Sequence, residues 1–477
     1  MAETGAVDFQ SNVVRALADR QLRGNLKKAM GSLSLKRKAV FSDPEEFEHL
    51  RRVGNAIRRR SLSKLPVLLE QLEKNCTANG IQVHWAETTA DANQIFLDII
   101  KGHDASRVIK GKSMVSEEMH LNHFLEDHSI EALETDLGEY IIQLDHETPS
   151  HIIVPAIHKN KDQIAHLFHE KIPNTPYTEV VEELNAIARK TLRQKFFAGE
   201  IGVSGVNFAV AETGTLCLVE NEGNGRMCTT VPPVHIAVMG LEKVVEHLSD
   251  VPPLLRLLTG SATGQVITTY FNMITSPRKA GEKDGPKEVH LVILDNGRSK
   301  ILADPQLRET LQCIRCGACL NHCPVYTRLG GHAYGYVYPG PIGSILTPQM
   351  EGLHKAGAMA SASSLCGACE EVCPVKIPFT SLLRILRDES YAEGDSPHDV
   401  DGHGYKRHFT ESLAWKGWAV MNTNPTLNHL STKMLGMVGA FLPKAGPLKH
   451  WTQVRTTPKF AKQSLHALAK ARGLDDE

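Results

Sequence analysis

The sequence predicts an α/β domain with a mainly parallel sheet, then a mostly helical domain organised by cysteines, then a helical tail. Three observations carry this. Short apolar segments alternate with amphipathic ones between residues 71 and 300. Seven of the ten cysteines fall in two short runs between 313 and 373. Three of the four tryptophans, Trp415, Trp418 and Trp451, lie beyond those runs in a stretch with no motif of its own. A chain of 477 residues, 42% of them hydrophobic, is long enough for two or three separate cores.

Residues 1–70 form a basic helical arm. Between Arg20 and Lys64 there are thirteen Lys/Arg against four Asp/Glu. A solvated helical face explains such a run, and contact with an acidic partner or a membrane surface is the alternative. The formal net charge of -1 gives the whole molecule no electrostatic case for nucleic acid. The opening residues contain no apolar signal core. The longest late apolar run, MLGMVGAFL at 434–442, is far short of the ~20 residues a bilayer requires. The expectation is a cytoplasmic protein, with peripheral contact to the inner membrane face left open.

From 71 to 300 the elements alternate. GIQVHWAE reads as a strand and ADANQIFLDIIKG as its helix. SRVIKG is a second strand, and SEEMHLNHFLED a helix opened by Ser116. HIIVPAIHK, continuously apolar, reads as a third, buried strand. TPYTEVVEELNAIARKTLRQKFFAGEIG is a long helical insertion. VNFAVAETGTLCLVENEG reads as two strands around a turn at Thr213-Gly214, and VHIAVMG and EVHLVILDNG supply two more. Strands alternating with amphipathic helices predict a doubly wound, mainly parallel sheet. Residues 301–390 hold the cysteines, short helices and a loop, LGGHAYGYVYPGPIGSILTP. Residues 391–477 are the helical tail.

CIRCGACLNHCPVY, at 313–326, has the C-x2-C-x2-C-x3-C-P spacing of a ferredoxin-like [4Fe–4S] site. SSLCGACEEVCPV, at 363–375, nearly repeats it, with Ser363 in the place of the first cysteine. A zinc site uses CxxC pairs separated by longer loops, and in the cytoplasm clustered thiols mark metal rather than disulfides. The last cysteine of each run in a two-cluster ferredoxin serves the other cluster. Cluster 1 is then held by Cys313, Cys316, Cys319 and Cys373, and cluster 2 by Cys323, Cys366 and Cys369. The second site is one thiolate short. It is either a [3Fe–4S] cluster or a [4Fe–4S] cluster with a non-cysteine fourth ligand, Ser363 among the choices. The remaining cysteines, Cys76, Cys217 and Cys228, read as ordinary packing residues.

Polar residues at predicted strand ends outline a pocket, because open α/β sheets bind ligands there. KGKSMVSEE supplies Lys110, Lys112 and Glu117. ETDLGEY supplies Glu134 and Asp136. NFAVAETGTL supplies Asn207, Glu212 and Thr213, and ENEGNGR supplies Arg226. Turns and caps account for any one of them taken alone. GxGxxG, Walker A, HExxH and GxSxG motifs do not occur, so neither a dinucleotide site nor a familiar hydrolase is indicated.

GVNFAVAETGTLCLVENEGNGR, VIKGKSMVSEE, CIRCGACLNHCPVY, GGHAYGYVYPGPIG and SLCGACEEVCPVKIP, in this combination, resemble the lactate utilization protein B (LutB) family over nearly the whole chain. The resemblance implies a lactate-utilization-type α/β domain, a two-cluster ferredoxin-type domain and a family-specific tail. It implies electron transport in the bacterial oxidation of L-lactate to pyruvate, beside a LutA-like cysteine-rich partner and a LutC-like α/β partner. The seven cysteines match the family's iron–sulfur ligands, which also number seven. Electrons would pass through the two clusters to an acceptor such as a quinone. Two other readings stay open: a catalytic 2-hydroxy-acid oxidoreductase subunit that binds lactate itself, and a scaffold whose clusters are structural.

Overall fold

Six parallel strands run through the α/β domain: β1 (Gln82–Ala86), β2 (Arg107–Lys110), β3 (Glu131–Glu134), β4 (Ile201–Gly205), β7 (Val234–Gly240) and β10 (Glu288–Leu294), in the spatial order β1-β10-β7-β4-β2-β3. This is the mainly parallel sheet that the alternation predicts. The computed structural model describes residues 9–391, 409–438, 461 and 463–473, and the chain divides into two units, 1–404 and 405–477. All seven residues of β7 are buried between β10 and β4. A strand covered on both faces has no side for water, which is why VHIAVMG reads as a continuous apolar run.

A second sheet has four strands. Its centre is the hairpin of β5 (Phe208–Val210) and β6 (Thr215–Glu220), paired antiparallel around the expected turn. Gly214 there has φ +66°, and a Cβ would sit 2.7 Å from the backbone of Asn75, so only glycine closes this turn. The flanking strands β8 (Val244–Val245) and β9 (Tyr270–Ile274) complete the order β8-β5-β6-β9 and are not predicted from the sequence. One is two residues long, and the other is only half-buried.

Four segments depart from the sequence reading. HIIVPAIHK is not a strand but a turn-rich loop. His151 Nδ1 accepts the backbone N–H groups of Ile153 and Val154 at 3.0 and 3.1 Å. Pro155 has no donor to offer a ladder, and the apolar residues pack against the cysteine region instead. The helix expected to open at Ser116 is two helices, Met114–Glu118 and Leu121–Asp127, broken at left-handed His120. Its cap is Ser113, whose Oγ accepts the Ser116 N–H. The long insertion ends its helix at Ala198, and the following residues are β4. LGGHAYGYVYPGPIGSILTP is partly helical, since Gly340–Glu351 is a nearly fully buried helix.

The basic arm is solvated on one side only. Lys27, Lys28, Lys36, Lys38, Arg52 and Arg59 are exposed. Arg37, Arg51 and Arg58, on the helices Arg20–Val40 and Pro44–Ser63, turn inward onto the cysteine region. Arg37 donates to Val372 O at 2.9 Å, and Arg51 to Cys373 O at 2.8 Å and Glu370 O at 3.0 Å. Arg58 is buried and donates to the carbonyls of Glu242, Val244, Leu311 and Gln312. Charge-assisted bonds of this kind hold backbone that forms no regular ladder.

The second unit contains the helices Phe409–Thr423, Pro425–Val438 and Leu465–Ala471. Trp415 and Trp418 are exposed and meet edge to face at 5.8 Å. Trp451 and the end of MLGMVGAFL lie outside the described residues. Among the described residues no helix is long and apolar enough to cross a membrane.

Candidate iron–sulfur centre and adjoining cavity

The two cysteine runs share one backbone path. Arg315 and Leu365 both take left-handed conformations (φ 59° and 54°), and Gly317 and Gly367 follow suit (φ 74° and 80°). A short helix then starts in each run, Ala318–His322 and Ala368–Glu371. Left-handed backbone at a non-glycine residue costs about 1–3 kcal/mol and persists only where the surroundings impose it. The same strain at the same step of both runs points to a shared task. The Arg315 N–H donates to Cys313 Sγ at 3.3 Å, and the Leu365 N–H donates to Ser363 Oγ at 3.1 Å. Ser363 therefore takes in the second run the backbone role that Cys313 takes in the first.

The seven thiols divide between two cavities. One is lined by Cys313, Cys316, Cys319 and Cys373. The other is lined by Cys323, Cys366 and Cys369, together with Ser363. Each cavity thus draws one thiol from the opposite run, the last cysteine of that run. Burial pushes the Cys316 and Cys319 thiols well up, and the neighbouring thiols push them further. Burial likewise pushes Cys373 up to about 11 and Cys369 up to about 12. None of the ten cysteines is in a disulfide. Buried thiols crowded together favour a bound metal, whose charge turns each thiol into a thiolate ligand. The donor set therefore fits an iron–sulfur group: four thiols in the first cavity, three thiols and a hydroxyl in the second.

Their surroundings differ. All four thiols of the first cavity are buried, whereas Cys366 of the second is exposed. A buried network backs the first. The Tyr338 hydroxyl donates to Glu118 at 2.8 Å. Arg298 pairs with Glu118 and Glu242, both at 2.7 Å, and Arg315 pairs with Glu242 at 3.2 Å. The Arg315 guanidinium lies 4.8 Å from the Tyr338 ring centre. Burial alone would raise the Glu242 carboxyl, but Arg298 and then Arg315 outweigh it and hold the pKa at about 2. This network ties the end of β7 to the cysteine loops.

A third, larger cavity of about 300 Å³ opens at the carboxyl ends of β2, β3, β4 and β7. Of the pocket residues expected from the sequence, Lys112, Asp136 and Asn207 line it. Lys112 donates to Ile153 O, and Asp136 caps the helix Leu137–Leu144. The others are elsewhere. Lys110 is buried between Glu117 and Glu134 at 2.9 and 2.6 Å. Burial disfavours its charge, but the two carboxylates outweigh that and raise its pKa. Lys110 Nζ also donates to Ser116 Oγ at 2.8 Å, so its three donors are spent and none is left for a ligand. Glu212 accepts the Leu248 N–H, and Thr213 bonds Thr215 across the hairpin turn. Arg226 stacks on Tyr270 at 5.0 Å. Sequence reasoning missed Lys243 and Arg315, which also line the cavity. Lys243 could have been found, because it follows VHIAVMG at a predicted strand end.

Residues 69–294 match the LUD domain family, 309–377 the 4Fe-4S dicluster domain family, and 385–474 the family "Lactate utilisation protein B, C-terminal". The chain is similar to "Lactate utilization protein B" of Shouchella clausii, with 41% identity covering 97% of each chain. It is similar to the protein of the same name from Bacillus subtilis, with 41% identity over 95% of this chain and 94% of that one. It is also 39% identical to "Uncharacterized electron transport protein YkgF" of Escherichia coli, over 98% of this chain and 97% of that one.

Proposed function

The chain belongs to the lactate utilization protein B family, and from that premise we propose that it is an electron-transfer subunit in the oxidation of L-lactate to pyruvate. The observation that carries this reading is the division of seven thiols between two neighbouring cavities. Cys313, Cys316, Cys319 and Cys373 would hold one iron–sulfur cluster. Cys323, Cys366 and Cys369 would hold a second, with Ser363 or solvent at its remaining position. Bound there, such clusters accept and release electrons one at a time.

The protein's own residues set the conditions for that task. Arg37, Arg51, Arg58 and Arg315 surround the first cavity with positive charge or hold its loops, which favours a reduced, more negative state. The exposed edge at Cys366 gives the second cavity a face that a partner can approach. LutA-like and LutC-like subunits are the partners this reading assigns, with a quinone as one class of final acceptor.

The test is anaerobic. The iron-loaded protein is mixed with L-lactate, first alone and then with its partner subunits, while absorbance and EPR are recorded. Reduction only in the presence of partners supports the reading. No reduction under either condition, with reducible clusters present, rejects it. A second reading, in which this chain binds lactate itself, is favoured by the large cavity beside the first cysteine set.

A further inference from the structure

Two cationic groups in the large cavity have unused hydrogen-bonding capacity. Lys243 is 7% exposed and Arg315 is 8% exposed, and both line the cavity. Among the described residues the Lys243 ammonium has neither a hydrogen bond nor a close ion pair. Burial, and after it the charge of Arg315, lowers its pKa to about 8, while Glu242 opposes this. Arg315 uses Nη2 on Glu242 at 3.2 Å, but its Nη1 is buried with no partner. A buried charge without a partner is costly. Proteins retain such groups where a ligand completes them.

We propose that this cavity binds the carboxylate of a small 2-hydroxy or 2-oxo monoacid on Lys243 Nζ and Arg315 Nη1. The position is one that open α/β sheets use for ligands, at the carboxyl ends of parallel strands. Asp136, Glu220 and Glu222 also line the cavity, and they oppose a second negative charge, so a monoacid fits better than a diacid or phosphate. Asn207 spends its Oδ1 on the Val219 N–H at 2.8 Å, which leaves its amide NH2 as a donor for the 2-oxygen. Met114 and Leu258 offer apolar surface for a short alkyl group. Ile152 lines both this cavity and the first cysteine cavity, so the acid would lie one side chain away from that site.

The identity of the acid rests on the lactate-utilization reading, and the experiment separates the two. Full-length iron-loaded protein is titrated anaerobically by calorimetry with L-lactate, pyruvate, succinate and inorganic phosphate. Lactate or pyruvate is expected to bind at one site, with succinate and phosphate at least tenfold weaker. Lys243→Met should weaken the monoacid at least tenfold with iron content unchanged, and Lys243→Arg should recover part of the loss. Wild-type protein that binds no monoacid, or Lys243→Met that binds as wild type does, overturns the proposal. A shift in reduction potential without loss of binding also overturns it, because Lys243 would then serve only to balance charge near Cys313. Should Lys243→Met lose iron, Asn207→Leu gives a second readout: tenfold weaker binding supports the site, and unchanged binding overturns it. Iron content and reduction by dithionite report on the electron-transfer reading independently. Lactate bound through Lys243 by a protein without reducible clusters would uphold the cavity and sink that reading.

Discussion

The two cysteine cavities share a backbone and differ in what encloses them. The first is lined by four buried thiols, crossed by N-terminal arginines and backed by the Glu118–Arg298–Glu242–Arg315 network. The second has three thiols, one of them exposed, and a serine in the position of the fourth. The difference teaches that one loop design can be placed in two environments. In the first cavity the loop is part of the protein's core, and in the second it is part of its surface.

The largest expected effect comes from breaking the buried side of this comparison. Cys316→Ala should cost about 4 kcal/mol or more of stability, since it removes a proposed metal ligand from the core, and should abolish growth on lactate. Cys366→Ala should cost far less stability while impairing the same growth. Equal destabilisation of the two variants in denaturant titrations would erase the distinction.

Arg58→Met comes next. It strands the carbonyls of Glu242, Val244, Leu311 and Gln312, and should cost about 3 kcal/mol. Arg387, which donates to Ala360 O and Ser363 O beside the second cavity, is half-buried, and Arg387→Ala should cost about 1–2 kcal/mol. Chemical denaturation of both variants measures the contrast.

Iron release sharpens it in time. A chelator added in air should remove iron in two phases, the exposed site at least tenfold faster than the buried one, followed by absorbance at the cluster band. A single phase would show that exposure does not set lability. The smallest effect on stability, under about 1 kcal/mol, is expected from Ser363→Cys. Its readout is iron: the fast phase should slow, because a fourth thiol enters the position whose backbone bond Ser363 already makes.

Much of this was legible in the sequence. The parallel sheet was written in the apolar runs of β7 and β10, and the cysteine spacing announced two grouped sets of thiols. What was hidden depends on contacts distant in sequence. HIIVPAIHK has strand composition, but His151 and Pro155 turn it into a loop. Lys110 looked like a ligand-binding lysine, but Glu117 and Glu134 enclose it. Lys243 follows Glu242 in sequence, and nothing in that pairing reveals that its ammonium lacks a partner. The inward turn of Arg37, Arg51 and Arg58 is equally invisible in a run of mixed basic residues.

Those inward arginines also impose an order of events during synthesis. Arg37 waits for Val372, 335 residues downstream. At roughly 5–20 residues per second, the ribosome takes roughly 17 to 67 s to make that stretch. Until then Arg58 can reach its carbonyls at residues 242–312, but Arg37 and Arg51 lack theirs at Val372, Glu370 and Cys373. The clamp over the cysteine loops therefore closes late, and in the interval before it closes the thiols of the deeper cavity can be reached without crossing a finished core.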